Sequence, residues 1–199
     1  MERIEKQMQF ILEIDKEKQI KRKTLQSNGK DFEDDAQHAW HMAIMTLLLS
    51  EYANEKIDVL KTISMLLIHD LVEIDAGDTY AYDKEGLQTQ KAREEAAKER
   101  IFSLLPEDQR KELAGLFDEF EAFETKESKY AHAMDNLQPL ILNHSNGGED
   151  WKRHGVTKGQ VYGRQGKTKL GSNRLFQVVD AILQENIEKG NIKEREEEK

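Results

Sequence analysis

His69 and Asp70 stand side by side in a run that is otherwise almost wholly apolar, Ile63-Ser64-Met65-Leu66-Leu67-Ile68-His69-Asp70-Leu71-Val72-Glu73-Ile74. A segment of this character belongs in a core. A core element that carries an imidazole and a carboxylate must give them partners, because an unpaired buried polar group costs roughly 2–7 kcal/mol and an unpaired charge more. A metal ion is the partner that suits both. Read as a helix, the run puts Glu73 at i+4 from His69 and i+3 from Asp70, so the three converge on one patch of surface. Gly77-Asp78 then closes the helix and delivers another carboxylate nearby.

The rest of the chain favours helices around that element. Only 2 prolines and 12 glycines occur in 199 residues, among long runs of Leu, Ala, Glu, Lys and Gln, a composition that favours helix over strand. The length fits one domain with a sizeable core. Helices are expected at about 2–18, 35–53, 57–76, 90–105, 106–124, 125–143 and 173–189. Residues 20–36 read as a polar loop, 79–90 as an exposed loop or lid, and 149–171 as irregular or a short helix. The helix over 35–53 is apolar nearly all round, which places it centrally. The expected fold class is all-α, a single-domain bundle over residues 1–190 with a charged, frayed tail at 191–199.

Composition also excludes chemistry. With 0 Cys, disulfides, thiolate zinc sites and cysteine nucleophiles are ruled out. The formal net charge of -9 speaks against whole-chain nucleic-acid binding, and the basic segments lack interleaved aromatics. Those segments are residues 16–30, with six Lys or Arg against the single acid Glu17, and residues 152–169, with six and no acid. Each reads either as a solvated face or as local attraction for an anion such as phosphate. The N-terminus mixes charges and has no apolar signal core, and the apolar stretch Ala43–Leu49 is far short of the ~20 residues that span a bilayer. A soluble, cytoplasmic protein with no membrane partner is the expectation.

Three predicted helices carry polar groups that break their apolar character: His38 with His41 one turn on, His69-Asp70, and Asp135 with His132 at i−3. Taken singly, His38 reads more readily as a cap or a packed core residue, and Asp135 as a solvent-facing acid. Together, two imidazoles and two carboxylates form a mixed N/O set that favours one divalent Mn, Fe, Co, Ni or Zn ion over calcium.

His38, then His69-Asp70 some thirty residues later, then Asp135, resembles the H…HD…D signature of the HD-domain metal-dependent phosphohydrolases. The longer string His69-Asp70-Leu71-Val72-Glu73-Ile74-Asp75-Ala76-Gly77-Asp78 is similar to the HD-x-x-E-x-x-x-G-D block of that family's 5′-deoxynucleotidase branch, and similarity extends over about residues 5–145. The resemblance implies an HD-type helical bundle and hydrolysis of (deoxy)nucleoside 5′-monophosphates to nucleoside and phosphate. It makes His38, His69, Asp70 and Asp135 the metal ligands and Glu73 the acid that helps activate water. Asp78 becomes a substrate-site acid near the sugar or leaving group, and Arg22 matches a phosphate-binding arginine. Lys23, read as a second substrate-binding cation, stands where some members have an aromatic that selects deoxyribose. Gln37-His38-Ala39 replaces the Glu-His-Ser often found there, losing a carboxylate and a hydroxyl beside the first ligand. A homodimer is implied as well, with Leu113, Leu116, Phe117 and Phe120 offering an apolar stripe. The alternatives are a hydrolase for another small phosphate (a nucleoside triphosphate, a signalling nucleotide or a sugar phosphate) or a metal-stabilised domain without turnover.

Overall fold

A computed structural model describes residues 2–83 and 85–195. Along the chain it contains α1 (Arg3–Ile14), a short hairpin of β1 (Lys21–Leu25) and β2 (Phe32–Asp34), α2 (Asp35–Leu49), α3 (Val59–Ile68) and the single turn α4 (Glu73–Ala76). Then follow α5 (Gly86–Phe102), α6 (Glu107–Ala122), α7 (Lys126–Ser145), α8 (Glu149–His154), α9 (Lys158–Gly171) and α10 (Asn173–Glu188). Short polar side chains open five of these helices. Asp34, Asp58, Thr125, Thr157 and Ser172 each accept a hydrogen bond from a first-turn backbone N–H, satisfying donors that a helix leaves unpaired.

The all-α bundle is the observed architecture, with local differences. Residues 20–36 form a hairpin rather than a loop: Lys21 pairs with Asp34 and Leu25 with Phe32 in antiparallel register. Asn28-Gly29 makes the reversal, Gly29 taking φ +67° while Asn28 Oδ1 accepts from the N–H groups of Lys30 and Asp31 at 2.9 and 3.1 Å, the turn chemistry these residues favour. The helix expected over 57–76 is interrupted. After Ile68 the backbone tightens to i→i−3 hydrogen bonds, Leu71 N–H to Ile68 O at 3.2 Å and Glu73 N–H to Asp70 O at 2.8 Å. His69 and Asp70 therefore occupy a turn, and a common α-helical face is not what brings them to Glu73.

Residues 149–171, expected to be irregular or a short helix, are the two helices α8 and α9. Four glycines and many charges hide α9 in the sequence; packing against α7 supplies its stability, as is usual for helices of weak propensity. The charged tail is docked at its start, where Ile192 is 1% exposed and Lys193 exchanges backbone bonds with Val156 and Lys158 at 2.9 and 2.8 Å. Residues 196–199 of that expected tail lie outside the described residues.

Two apolar clusters meet at the HD turn. The larger joins Met42 and Met45 of α2, Met65 and Leu66 of α3, Tyr130 and Met134 of α7, and Val179 and Leu183 of α10. The smaller gathers Phe10, Ile68, Leu71, Val72, Ile101, Phe102 and Phe117. The turn is anchored on both sides. α7 rather than α2 is the central helix: α2 buries Ala39, Met42 and Met45 but leaves Trp40, Ile44, Leu47 and Leu48 exposed. The stripe on α6 points inward, with Phe117 and Phe120 buried and Leu113 and Leu116 packed behind them, so it offers no external face. Among the described residues no helix is long and apolar enough to cross a membrane.

Where α9 ends against α7, a Cβ on Gly171 would lie 2.4 Å from the Lys129 carbonyl oxygen and 2.9 Å from Ala133 Cβ. Backbone cannot yield as a flexible side chain does, so Gly171→Ala should destabilise by about 1–3 kcal/mol, the range for overpacking. Urea denaturation monitored by circular dichroism checks this, with Gly166→Ala, where a Cβ meets nothing within 4 Å, as the control expected to stabilise by up to about 1 kcal/mol through helix propensity alone.

Candidate metal centre and cleft

Two histidine rings are pinned from behind so that the same nitrogen of each faces one point. His69 Nδ1 lies 2.9 Å from the carbonyl oxygen of Leu66, which can only accept, so Nδ1 carries the hydrogen and Nε2 the lone pair. His38 Nδ1 lies 2.8 Å from Gln138 Oε1. The Gln138 amide is oriented by its other end, where Nε2 donates to Glu33 Oε1 at 2.6 Å and to His41 Nδ1 at 3.0 Å. Burial lowers the His38 pKa to about 4, and the ring is neutral.

Against these lone pairs stand two carboxylates. His38 Nε2 is 3.2 Å from Asp135 Oδ1 and 4.0 Å from Asp70 Oδ2, and His69 Nε2 is 3.0 Å from Asp70 Oδ1. The donor atoms of His38, His69 and Asp135 all lie within 4.8 Å of one another. Nitrogen lone pairs opposed to carboxylate oxygens repel unless something positive lies between them. The donor set, N₂O₂ without sulfur, fits a divalent transition ion. The four residues expected to act together are therefore brought together. Pro139, inside α7, has no N–H to donate to the Asp135 backbone carbonyl four residues earlier.

A second group sits behind the first. Asp35, Asp70 and Glu73 offer oxygens within 4.8 Å of one another, and Arg22 Nη1 reaches Asp35 Oδ1 at 3.0 Å and Asp70 Oδ2 at 2.8 Å. Burial opposes the Arg22 charge, but Asp70, Glu73, Asp35 and Asp78 outweigh it and hold its pKa well above the ordinary value. Glu73 is pushed well above the ordinary carboxyl range by burial, then by Asp70 and Asp35. Asp35 is raised to about 7 by burial and Asp70, and Glu33 to about 7, chiefly by burial.

The centre opens into a cleft of about 910 Å³ whose lining includes Arg22, Lys23, Asp78 and Arg164. Asp78 reaches it because Gly77 (φ +75°, ψ 148°) ends α4 in a conformation that is essentially confined to glycine. Burial raises the Asp78 carboxyl while Arg22 opposes the shift. The cleft has two unlike walls. On α5 and α6 it carries Glu94, Glu95, Asp118 and Glu121 with Lys91; on α7 and α9 it carries Asn136, Asn143, Gly159, Gly163, Arg164 and Lys167.

Sequence reasoning missed Glu33, Asp35, Gln138 and Arg164. Glu33 and Asp35 were legible only as an acidic run before a helix, and Gln138 as a polar residue at i+3 from Asp135. Glu33 also answers the loss at Gln37: its Oε2 lies 3.6 Å from His38 Nδ1, while Gln37 caps α2 by accepting from Asp34 N–H. His132 is structural, stacked 4.1 Å from Phe120 with Nε2 donating to the Phe120 carbonyl.

Behind the centre, in the 3₁₀ turn Asp15–Gln19, Glu17 is 8% exposed with Oε1 unpartnered. Burial, then Asp70 and Asp35, raise its pKa from 4.5 to about 8. Between those values the folded chain holds a proton that the unfolded chain has released, so this group's contribution to stability falls as pH rises through the window. Glu17→Gln should match the parent near pH 5 and exceed it by on the order of 2 kcal/mol at pH 8, measured by urea denaturation in metal-free buffer at both pH values.

The HD domain family profile matches residues 14–175 of this chain. Human 5′-deoxynucleotidase HDDC2 is 30% identical over 104 residues, covering 52% of this chain and 50% of that protein. The Xenopus laevis protein of the same name is 29% identical over 148 residues, covering 74% and 71%. The chain thus spans about half the length of the mammalian relatives it matches. Among solved structures, a predicted metal-dependent phosphohydrolase from Magnetospirillum magnetotacticum superposes with a TM-score of 0.92 at 43% identity, over 96% of each chain. A conserved hypothetical protein from Pyrococcus furiosus shares the fold, with a TM-score of 0.62 and 24% identity over 89% of this chain and 99% of that one.

Proposed function

This chain belongs to the HD-domain family, and on that premise we propose that it is a metal-dependent phosphomonoesterase acting on (deoxy)nucleoside 5′-monophosphates. The observation that carries the reading is the pair of imidazoles whose Nε2 lone pairs are directed at Asp70 and Asp135. His38, His69, Asp70 and Asp135 would hold one divalent ion, Mn²⁺, Co²⁺, Ni²⁺, Fe²⁺ or Zn²⁺. When bound, such an ion supplies Lewis acidity toward a phosphoryl oxygen and lowers the pKa of water.

The chain's own groups do the rest. Arg22, with Lys23 and Arg164 on the cleft lining, neutralises the phosphate dianion, for which a planar guanidinium is well suited. Water attacks phosphorus, the bond from phosphorus to the 5′ oxygen breaks, and Glu73 accepts the proton released by the water. A carboxylate with raised proton affinity is the better acceptor. Asp78, also raised, hydrogen-bonds the sugar or returns a proton to the departing 5′ oxygen. Nucleoside and inorganic phosphate are the products. The acidic α5–α6 wall disfavours a triphosphate, which would need more cations along the cleft. Residues 1–190 are read as the catalytic domain.

We also propose that the protein is a homodimer through α2 and α3. Trp40, Leu47 and Leu48 of α2 are 65%, 57% and 68% exposed, and Leu60 and Leu67 of the adjoining α3 are 74% and 44% exposed. Contiguous exposed apolar faces of this kind mark association surfaces. Light scattering should give twice the chain mass, and Leu48→Lys should shift the distribution toward monomer; a parent mass of one chain at micromolar concentration ends this reading.

Phosphate release from a nucleoside monophosphate panel, assayed with Mn²⁺, Co²⁺, Ni²⁺, Mg²⁺ and Zn²⁺ in turn, tests the activity. No release under any combination overturns it. Glu73→Gln should keep the metal content and the substrate KM but lose about 10²–10⁴ in kcat, the range for a positioned acid or base. Asp135→Ala should lose both metal and activity, read by elemental analysis and by the phosphate assay.

A further inference from the structure

Asn136 and Asn143 stand seven residues apart on α7, about 10 Å along one face of the helix, and both line the cleft. They are 3% and 6% exposed. Each leaves one amide atom buried without a partner: Nδ2 of Asn136, a donor, and Oδ1 of Asn143, an acceptor. The Asn143 amide is oriented by its nitrogen, which donates to the Pro139 carbonyl at 2.9 Å, so its oxygen is the group in need of a bond. Buried amide atoms in this state keep a desolvation cost until something bonds them. Asn136 lies next to Asp135 in the chain, so a molecule anchored at the proposed metal centre could extend along this face to reach both.

On α9, which packs against α7, Gly159 and Gly163 are one turn apart and also line the cleft, and a Cβ on either would meet nothing within 4 Å. The helix therefore presents bare backbone there, in a cleft that Tyr82 also lines. Charge selects this wall over the other. A nucleotide anion is repelled by the four carboxyl groups of α5 and α6, against which that wall sets Lys91, whereas α9 brings Arg164 and Lys167 to the opposite wall.

Resting on the phosphomonoesterase reading above, we propose that the α7–α9 wall is a nucleobase subsite. The base lies over Gly159 and Gly163, with Asn136 donating to it from one end of this face and Asn143 accepting from it at the other. Every nucleobase carries both acceptors and donors around its ring, so the subsite favours substrates with a base over those without one and does not impose strict choice among bases.

Gly163→Leu fills the surface while putting a better helix former in α9, and Asn143→Leu removes the acceptor. Two measurements apply to the parent and both variants: kcat/KM for 2′-deoxynucleoside 5′-monophosphates against 2-deoxyribose 5-phosphate, and the melting shift produced by a nucleoside without phosphate. The expected result is a nucleotide preference in the parent that falls at least tenfold in each variant, together with loss of the nucleoside-induced shift. Equal kcat/KM on the two substrates in the parent, or equal losses on both in the variants, overturns the subsite. If the parent hydrolyses neither substrate, the phosphomonoesterase reading fails and the melting shift decides the subsite alone: present in the parent and lost in the variants upholds it, absent in the parent overturns it.

Discussion

Arg22 places one guanidinium nitrogen between Asp35 and Asp70, and that contact joins the hairpin, the start of α2 and the HD turn. Four carboxyl groups, Asp35, Asp70, Glu73 and Asp78, act on this one buried cation. Breaking such a pair by removing one partner is expensive, because the other charge is left in a medium of low dielectric. The hairpin thus has a definite task. It carries Arg22 over the acids and, through Glu33, reaches back to the Gln138 amide that orients His38. A flexible loop over the same residues would have to give up conformational entropy to do this each time the site formed.

The arrangement is electrostatically unfavourable as it stands. Asp35, Glu33, Glu17 and Glu73 all have raised proton affinity, and two imidazole lone pairs oppose carboxylate oxygens at 3.0 and 3.2 Å. Apolar packing offsets that cost. Ile68, Leu71 and Val72 are buried on one side of the turn and Met65 and Leu66 on the other, so the HD pair is held by two clusters and cannot relax outward. Rigid support from behind is what a metal centre needs, since oriented ligands bind more tightly than mobile ones.

Beyond the centre, the cleft is divided by charge. The acids of α5 and α6 repel one another as well as any anion: burial, then Glu121 and Asp70, raise Glu94, while Gln90 and Arg93 oppose the shift. The α7–α9 wall carries amides, glycines and the two cations Arg164 and Lys167. An anionic ligand held near Arg22 therefore has one favourable direction in which to extend. The stretch that builds much of this wall, 149–171, lies within the part of the chain, 145–199, for which no motif gave a reading.

Local chemistry determined a good deal of this from the sequence alone. Capping residues such as Thr125 and Ser172 locate helix starts because their hydroxyls satisfy the first-turn N–H groups, a contact within three residues. His69 and Asp70 declare themselves because nothing else polar shares their apolar run. The helical character, the absence of thiol chemistry and the convergence expected of His38, His69, Asp70 and Asp135 all follow from residue types and a specific motif. Tertiary structure decided the rest, for reasons of distance and packing. Gln138 meets Glu33 and His38 across about a hundred residues of chain, a pairing without a periodicity to reveal it. Helix α9 looks irregular until α7 supplies the surface it packs on. The apolar circumference of α2 suggested burial on every side, yet only the assembled bundle determines which side has a neighbour, because burial depends on what surrounds a helix and not on its own composition.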